Sequence, residues 1–314
     1  MSTAQTDFMN HRKSQEQAVI DAVNDKTNPL ASVMTVEVNT TELCNRTCVF
    51  CPRIDPEIYP NRNLHLSAEL AGKIASDLAS FDYKGRVSFS GFGEPVLNKQ
   101  FPAVIRAVRE HLPTNQLDTN TNGDKLTPEL VNALFDAGLT YIYANMYDGP
   151  EQRPLYEVIF EKAGISKERF KLRPHWEGAE EDYGLFLNNR SGMVTDPDLG
   201  LPVIAEPITH PCYYPFSRAM VDWNGDVLIC SNDWGRAAVV GNVMNASFAD
   251  IWLSPAMMEI RKKLMAGDRS DKPCATCNVN GTLSGRFGFD TLVEYYKREG
   301  HIKKDYAPME PVEA

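Results

Sequence analysis

The sequence predicts an α/β protein: a partial (β/α)6 TIM-like barrel followed by a small α+β domain. Three observations lead there. From residue 33 to residue 173, short runs rich in β-branched and aromatic residues trade places with segments whose apolar residues fall at helical spacing. Residues 193–211 then turn rich in proline and aspartate, the composition of a linker. Beyond them the alternation stops, and a hairpin signal and four cysteines take its place. A chain of 314 residues suits two such modules.

Residues 1–32 are polar and mixed in charge; they read as a solvated extension with at most one short helix near 13–24. Val33 to Val38 reads as the first strand. Leu70, Ile74, Leu78 and Phe81 follow at helical spacing behind Ser67, an N-cap. Arg86 to Ser90 is a strand, and Phe101, Val104, Ile105, Val108 and Leu112 mark a helix with Pro102 in its first turn. A third strand spans Gln116 to Thr121; Thr127 and Pro128 then open a helix anchored by Leu130, Val131, Leu134 and Phe135. Leu139 to Met146 is a strand, 152–163 a helix, and Phe170 to Arg173 a fifth strand. Little room for a helix remains before Leu185-Phe-Leu187, so the last unit is expected to be truncated. In the remainder, Ala219 to Asp222 and Asp226 to Cys230 flank Trp223-Asn-Gly225, a hairpin signal. Residues 247–253 and 255–266 read as two short helices whose aromatics and methionines are core. The expected divisions are an N-terminal extension 1–32, a barrel 33–192, a linker 193–211, a second domain 212–290, and a C-terminal helix and tail 291–314.

Hydrophobic content of 43% and charged content of 24% describe an ordinary globular chain. No apolar run reaches a membrane span, and the N-terminus lacks the basic and apolar regions of a signal peptide, so a cytoplasmic protein with no membrane partner is expected. The formal charge of −10 and the scatter of its basic residues argue against nucleic acid. Seven cysteines, an odd number in a chain without a leader, point to thiolate chemistry in a reducing compartment more than to disulfides.

Three of those cysteines form the densest chemical signal. Cys44, Cys48 and Cys51 follow the first strand as CxxxCxxC, with Phe50 before the last. Such a cradle can hold three irons of a four-iron cluster and leave the fourth open. A zinc knuckle favours paired CxxC arms, of which only one is present, and a redox dithiol needs no third cysteine. After the second strand, Gly91-Phe-Gly93-Glu94-Pro permits close backbone approach and puts a carboxylate in the barrel mouth; with no cation beside it in sequence, Glu94 is expected to be ionised. After the third strand comes Thr121-Asn122-Gly123, which could equally be a plain turn.

This set strongly resembles the radical S-adenosylmethionine (SAM) enzymes. The resemblance implies that Cys44, Cys48 and Cys51 carry a 4Fe-4S cluster whose open iron chelates SAM. It implies too that Gly91, Gly93 and Glu94 hold the methionine amino group, and that Asn122 lies near the ribose or the substrate. Asn145, at the end of the fourth strand, stands where relatives often carry serine, yet it still offers a donor and an acceptor to the SAM carboxylate. Arg190 lies in an Asn-Arg-small-Gly string that recurs at this place in relatives, and its guanidinium fork would anchor a polar substrate. Arg173, by contrast, reads as an exposed cation.

Cys212, Cys230, Cys274 and Cys277 supply four thiolates, and ligand count alone does not separate a structural zinc site from a second cluster. Their setting, including Gly241-Asn-Val243 and Ile251-Trp252, closely resembles the abbreviated SPASM, or twitch, domain, which implies an auxiliary 4Fe-4S cluster. The pattern is similar to that of aminocyclitol dehydrogenases in this family. It lacks the extra cysteines and the N-terminal recognition domain of peptide maturases. The resemblance therefore implies a radical SAM oxidoreductase with a small polar substrate (a sugar, aminosugar or cyclitol), served by a cellular electron donor of flavodoxin or ferredoxin type. A sugar epimerase, a peptide maturase and a zinc-binding interaction protein are the competing readings.

Overall fold

Residues 3–175, 187–201 and 203–309 are described in the structure, a computed structural model. The alternation read in the sequence becomes a run of parallel strands with helices packed on their outer face. A long helix, α1 (Thr3–Ala22), precedes strand β1 (Thr35–Val38). Val36 and Val38 are fully buried against the helical layer, while Glu37 between them faces a central cavity, as the two-residue period of a strand requires. Next come α2 (Ala68–Ala79), β2 (Arg86–Phe89), α3 (Phe101–His111) and β3 (Leu117–Thr121). Helix α4 (Pro128–Asp136), β4 (Tyr141–Met146), α5 (Gln152–Lys162) and β5 (Phe170–Pro174) complete the series. Ser67 and Thr127 cap α2 and α4 by accepting from the Leu70 and Leu130 amides. Ile74, Leu78, Val104, Ile105, Val131 and Leu134 are each at most 2% exposed, and each contributes about 1.5–3 kcal/mol by burial. Of the expected Leu185-Phe-Leu187 segment, only Leu187 lies within the described residues.

The second part begins with a single helical turn, α6 (Tyr214–Ser217), and continues as β6 (Arg218–Val221), β7 (Asp226–Leu228) and β8 (Val239–Asn242). Helices α7 (Phe248–Trp252), α8 (Pro255–Met265) and α9 (Arg286–Arg298) follow. The strand order is β5-β4-β3-β2-β1-β6-β7-β8. β6 pairs parallel to β1 and so supplies a sixth parallel strand; β7 and β8 add on antiparallel. β1 thus lies between the two parts, and the cysteine loop that leaves its carboxyl end emerges at their junction. Phe248 and Trp252 of α7 and Met257 of α8 are core, as their spacing suggested. α7 also seats on α2, where Asp77 Oδ2 accepts from the Phe248 amide at 3.0 Å.

The N-terminal extension departs from expectation. α1 is longer than a short helix at 13–24, and it docks. His11 Nε2 and Gln15 Nε2 each lie 2.8 Å from the Tyr143 hydroxyl of β4. Glu16 meets Arg218 of β6 at 3.4 Å and accepts from the Gly285 amide at 3.2 Å. His11 and Gln15, four apart, share one helix face, and Glu16 makes its contacts from the flank beside it.

Candidate functional site

The cysteine loop after β1 is held by two residues that the motif does not include. Asn61 accepts from the Cys44 amide at 2.9 Å and donates to the Cys44 carbonyl at 3.0 Å. Arg53, only 5% exposed, donates to the Glu42 carbonyl and to the Phe92 carbonyl, both at 2.6 Å. It thereby ties the cysteine loop to the Gly91–Pro95 turn. Arg46, inside the loop, clasps Asp124 at 2.6 and 2.7 Å and Asp148 at 2.6 and 2.8 Å, reaching the loops after β3 and β4. Burial pushes all three thiols up, Cys48 to about 11, so at neutral pH they carry protons that ligation must release.

The glycines after β2 are required by geometry. Gly91 has φ +143°, and a Cβ on Gly93 would stand 2.0 Å from the Thr41 carbonyl oxygen, so the turn approaches the cysteine loop backbone to backbone. That approach aims Glu94 inward at 3% exposure. Its Oε1 accepts from Thr121 Oγ1 at 2.6 Å, and its Oε2 from the Asn122 amide at 2.7 Å. Burial lifts its pKa to about 7 against these hydrogen bonds, so without a cationic partner it is only partly ionised at neutral pH. This corrects the expectation of a plainly ionised carboxylate. Asn122 donates to Asn45 Oδ1 at 2.9 Å and lies 4.0 Å from Cys44 Sγ. Asn145 spends one amide proton on the Thr121 carbonyl at 2.9 Å, and its Oδ1 lies 2.9 Å from His175 Nε2. Phe50 joins a stack with Tyr147 (6.1 Å) and His175 (6.2 Å), whose own rings are 4.9 Å apart.

The second cysteine set comes from four places: before α6, after β7, and both ends of the turn 274–277. Arg269, 3% exposed, gathers them by donating to the carbonyls of Pro211 (2.9 Å), Val279 (2.7 Å) and Asn280 (2.6 Å). Burial first, and then the charges of Cys212, Cys277 and Cys274, push the Cys230 thiol well up; burial, then Cys212 and Cys277, lifts Cys274 to about 12. The four are thus within electrostatic reach of one another. The Asn232 and Val279 amides point at the sulfurs of Cys230 and Cys277, at 3.4 and 3.5 Å. All seven cysteines are free thiols. Among the described residues no three His, Cys, Asp or Glu side chains converge on a single-ion geometry, and a cubane asks instead for thiolates on separate irons.

Both sets meet one cavity of about 700 Å³, the size of a small-molecule site. Cys44, Cys48, Cys51, Glu94, Asn122 and Asn145 line it, together with Phe50, Gly91 and Gly93. Arg190 and Cys230 line it too, Arg190 within electrostatic reach of Cys51, while Cys212, Cys274 and Cys277 are not among the lining residues. The Asn189–Gly192 turn is fastened to the 274–277 turn. Asn189 donates to the Thr276 carbonyl at 2.6 Å and accepts from the Asn278 amide at 3.2 Å, and Thr276 Oγ1 donates to the Ser191 carbonyl at 2.6 Å. Arg190 is half-buried and presents a buried Nε with no partner among the described residues. Arg173 also faces the cavity and is not an exposed cation: it donates to Asn120 Oδ1 at 2.6 Å and lies 3.6 Å above the Tyr143 ring.

A further joint crosses the two parts. Arg236, six residues after Cys230, reaches Asp222 at 2.5 Å, the Tyr59 hydroxyl at 2.9 Å, and Glu42, two residues before Cys44. Asn39 extends this network, donating to Asp222 at 2.8 Å and accepting from the Phe92 amide at 3.1 Å. No local pattern marks Arg46, Arg53, Asn61 or Arg236, since each acts on backbone or charge far away in sequence.

Comparison with known proteins gives this arrangement its family. Residues 38–171 match the model of the radical SAM superfamily. The chain is a radical SAM enzyme. Residues 212–278 match the SPASM iron–sulfur cluster-binding domain. The enzyme accordingly uses SAM and a 4Fe-4S cluster, with further iron–sulfur binding in its SPASM part. It is 29% identical over 262 residues to the SAM-dependent 2-deoxy-scyllo-inosamine dehydrogenase of Niallia circulans, covering 79% of this chain and 93% of that one. The crystal structure of BtrN in complex with AdoMet and 2-DOIA superposes with a TM-score of 0.67 at 26% identity, covering 81% of this chain and 96% of the other. A structure of anSMEcpe with bound AdoMet, 11% identical with a TM-score of 0.50, covers 87% of this radical SAM enzyme and 97% of its own chain and shares the fold. The residues present fit the expected groups, since the thiols divide into a triplet and a quartet with amides aimed at sulfur.

Proposed function

We propose that this radical SAM enzyme is a dehydrogenase of a small polar substrate, a sugar, aminosugar or cyclitol. Cys44, Cys48 and Cys51 would hold the cluster that binds SAM, and Cys212, Cys230, Cys274 and Cys277 an auxiliary 4Fe-4S cluster. The observation that carries the reading is the shared cavity, which is lined by the cysteine triplet, by Arg190 and by Cys230 of the second set. Held there, the first cluster with SAM would supply radical chemistry able to break a carbon–hydrogen bond, and the auxiliary cluster would supply a one-electron acceptor.

The chain's own residues do the rest. Glu94, set by Thr121 and Asn122, receives the SAM ammonium, and that cation completes its ionisation. Gly91 and Gly93 let the backbone approach, and Asn122 and Asn145 offer amide groups on the same wall. Phe50, stacked with Tyr147, gives this side a flat apolar face. Arg190 offers its unpartnered Nε to a substrate hydroxyl, and its turn is fixed to the segment that carries Cys274 and Cys277. The 29% identical relative, named as a SAM-dependent 2-deoxy-scyllo-inosamine dehydrogenase, supports the substrate class. Electrons for the first cluster would come from a flavodoxin or ferredoxin type donor, and a cytoplasmic setting suits that supply; among the described residues no helix is long and apolar enough to cross a membrane.

The test is anaerobic reconstitution followed by 5′-deoxyadenosine release against 2-deoxy-scyllo-inosamine, other aminocyclitols, sugars and short peptides. About eight irons per chain are expected, falling by about half when Cys44, Cys48 and Cys51 become alanine. Reductive SAM cleavage by that triple variant would overturn the ligand assignment, and turnover confined to peptides would overturn the substrate class.

A further inference from the structure

Oxidation of a hydroxyl-bearing carbon releases a proton as well as an electron, and none of the residues placed so far receives it. His175, one residue past β5, has the geometry for that task. Its amide continues the ladder to the Met146 carbonyl at 2.9 Å, which fixes the backbone. Its ring is held flat against Tyr147 at an interplanar angle of 17°.

The tautomer of this ring follows from its partners. The Thr121 carbonyl can only accept, so the Asn145 atom 2.9 Å from it must be the amide nitrogen. Asn145 therefore turns its Oδ1, another acceptor, toward His175 Nε2 at 2.9 Å, and Nε2 must carry the hydrogen. A neutral ring then has its lone pair on Nδ1. That nitrogen is buried and has no partner among the described residues, and the ring lines the cavity. Burial, then the nearby Arg173 and Arg190, holds the pKa down to about 4, which keeps the ring neutral.

We propose that His175 Nδ1 accepts a hydrogen bond from the hydroxyl on the carbon that loses its hydrogen, and then takes that hydroxyl's proton. This rests on the dehydrogenase reading above. In the step, the O–H bond breaks and its proton bonds to Nδ1. The O–H electron pair and the odd electron on carbon then leave a C=O double bond, and one electron passes to a one-electron acceptor of iron–sulfur class. Low basicity suffices because the electron leaves together with the proton: a carbonyl still protonated on oxygen is a far stronger acid than imidazolium. Asn145 is the positioning residue: it holds the tautomer, as the group behind a catalytic histidine does elsewhere.

The test uses the reconstituted enzyme with SAM and 2-deoxy-scyllo-inosamine, or whichever compound of the panel the wild type oxidises. His175→Asn keeps an acceptor near the Nδ1 position but takes no proton, while His175→Phe keeps the ring stack and removes both functions. Calorimetric affinity for SAM should stay within about twofold in both, and His175→Phe should bind substrate about tenfold more weakly. In His175→Asn, ketone formed per 5′-deoxyadenosine should fall about 10²-fold, with an organic radical signal accumulating on the substrate. Undiminished coupling in both variants, or SAM affinity that drops with substrate affinity unchanged, would overturn the assignment. If one variant fails to assemble, shown by low iron content, the other still decides. A wild type with no substrate-dependent 5′-deoxyadenosine across the panel would instead sink the dehydrogenase reading, and this proposal with it.

Discussion

Glu94 shows how much a single side chain owes to burial. Its pKa near 7 means that below neutrality the free protein holds a proton there, which must leave before an ammonium can pair with the carboxylate. SAM affinity should therefore fall about tenfold per pH unit below about 7 and level off above it. Calorimetry at pH 6 and pH 8 checks this, and in Glu94→Gln the affinity should be weaker and nearly independent of pH. An affinity flat across that range in the wild type would remove Glu94 from the ammonium site. The carboxylate was legible as a motif member; its titration was not, because the low-dielectric shell comes from residues distant in sequence. Asn145 makes the same point. Its place at the end of β4 could be read, but the commitment of its amide to Thr121 and His175 appears only once three strand ends meet.

At the scale of elements, apolar periodicity revealed the strands and helices that bury apolar surface, from β1 through α5 and again in α7 and α8. Three elements escaped it, one of them α6, a single turn too short to show a period. β8 carries exposed Val239 and half-buried neighbours, so it lacks a buried stripe. α1 docks through His11, Gln15 and Glu16, a polar face that hydropathy cannot distinguish from a solvated one. The Asn189–Gly192 turn was visible as a string, yet its partner, the 274–277 turn, was not. Gly192 sits at φ +85°, and a Cβ there would meet Thr276 Cβ and Oγ1 at 2.7 Å. Gly192→Ala should cost about 1–2 kcal/mol from the left-handed backbone alone, with further strain from that contact. Thermal melting should show a Tm lower by several degrees. Because the turn carries Arg190, substrate affinity should weaken while iron content and SAM affinity hold. Substrate affinity equal to wild type would mean that this docking does not position Arg190.

Across the whole molecule, seven thiols divide into a triplet that lines the cavity and a quartet that reaches it through Cys230, and this division bears on what becomes of the substrate radical. Oxidation and epimerisation both begin with removal of the same hydrogen atom. An epimerase must give a hydrogen back, and a cysteine thiol suits that role, but every cysteine here falls within one of the two sets. Of the tyrosines that could substitute, Tyr213 is 1% exposed and not among the residues lining the cavity, whereas Tyr147 does line it, packed against both Phe50 and His175. An auxiliary cluster held by all four of Cys212, Cys230, Cys274 and Cys277, as proposed above, would favour loss of an electron over return of hydrogen. Turnover in deuterated water, followed by mass analysis of the product, separates the two fates. The expected product is two hydrogens lighter than the substrate, and Tyr147→Phe should still form it. An isomer of unchanged formula with one non-exchangeable deuterium, lost in Tyr147→Phe, would make the enzyme an epimerase and Tyr147 its hydrogen donor.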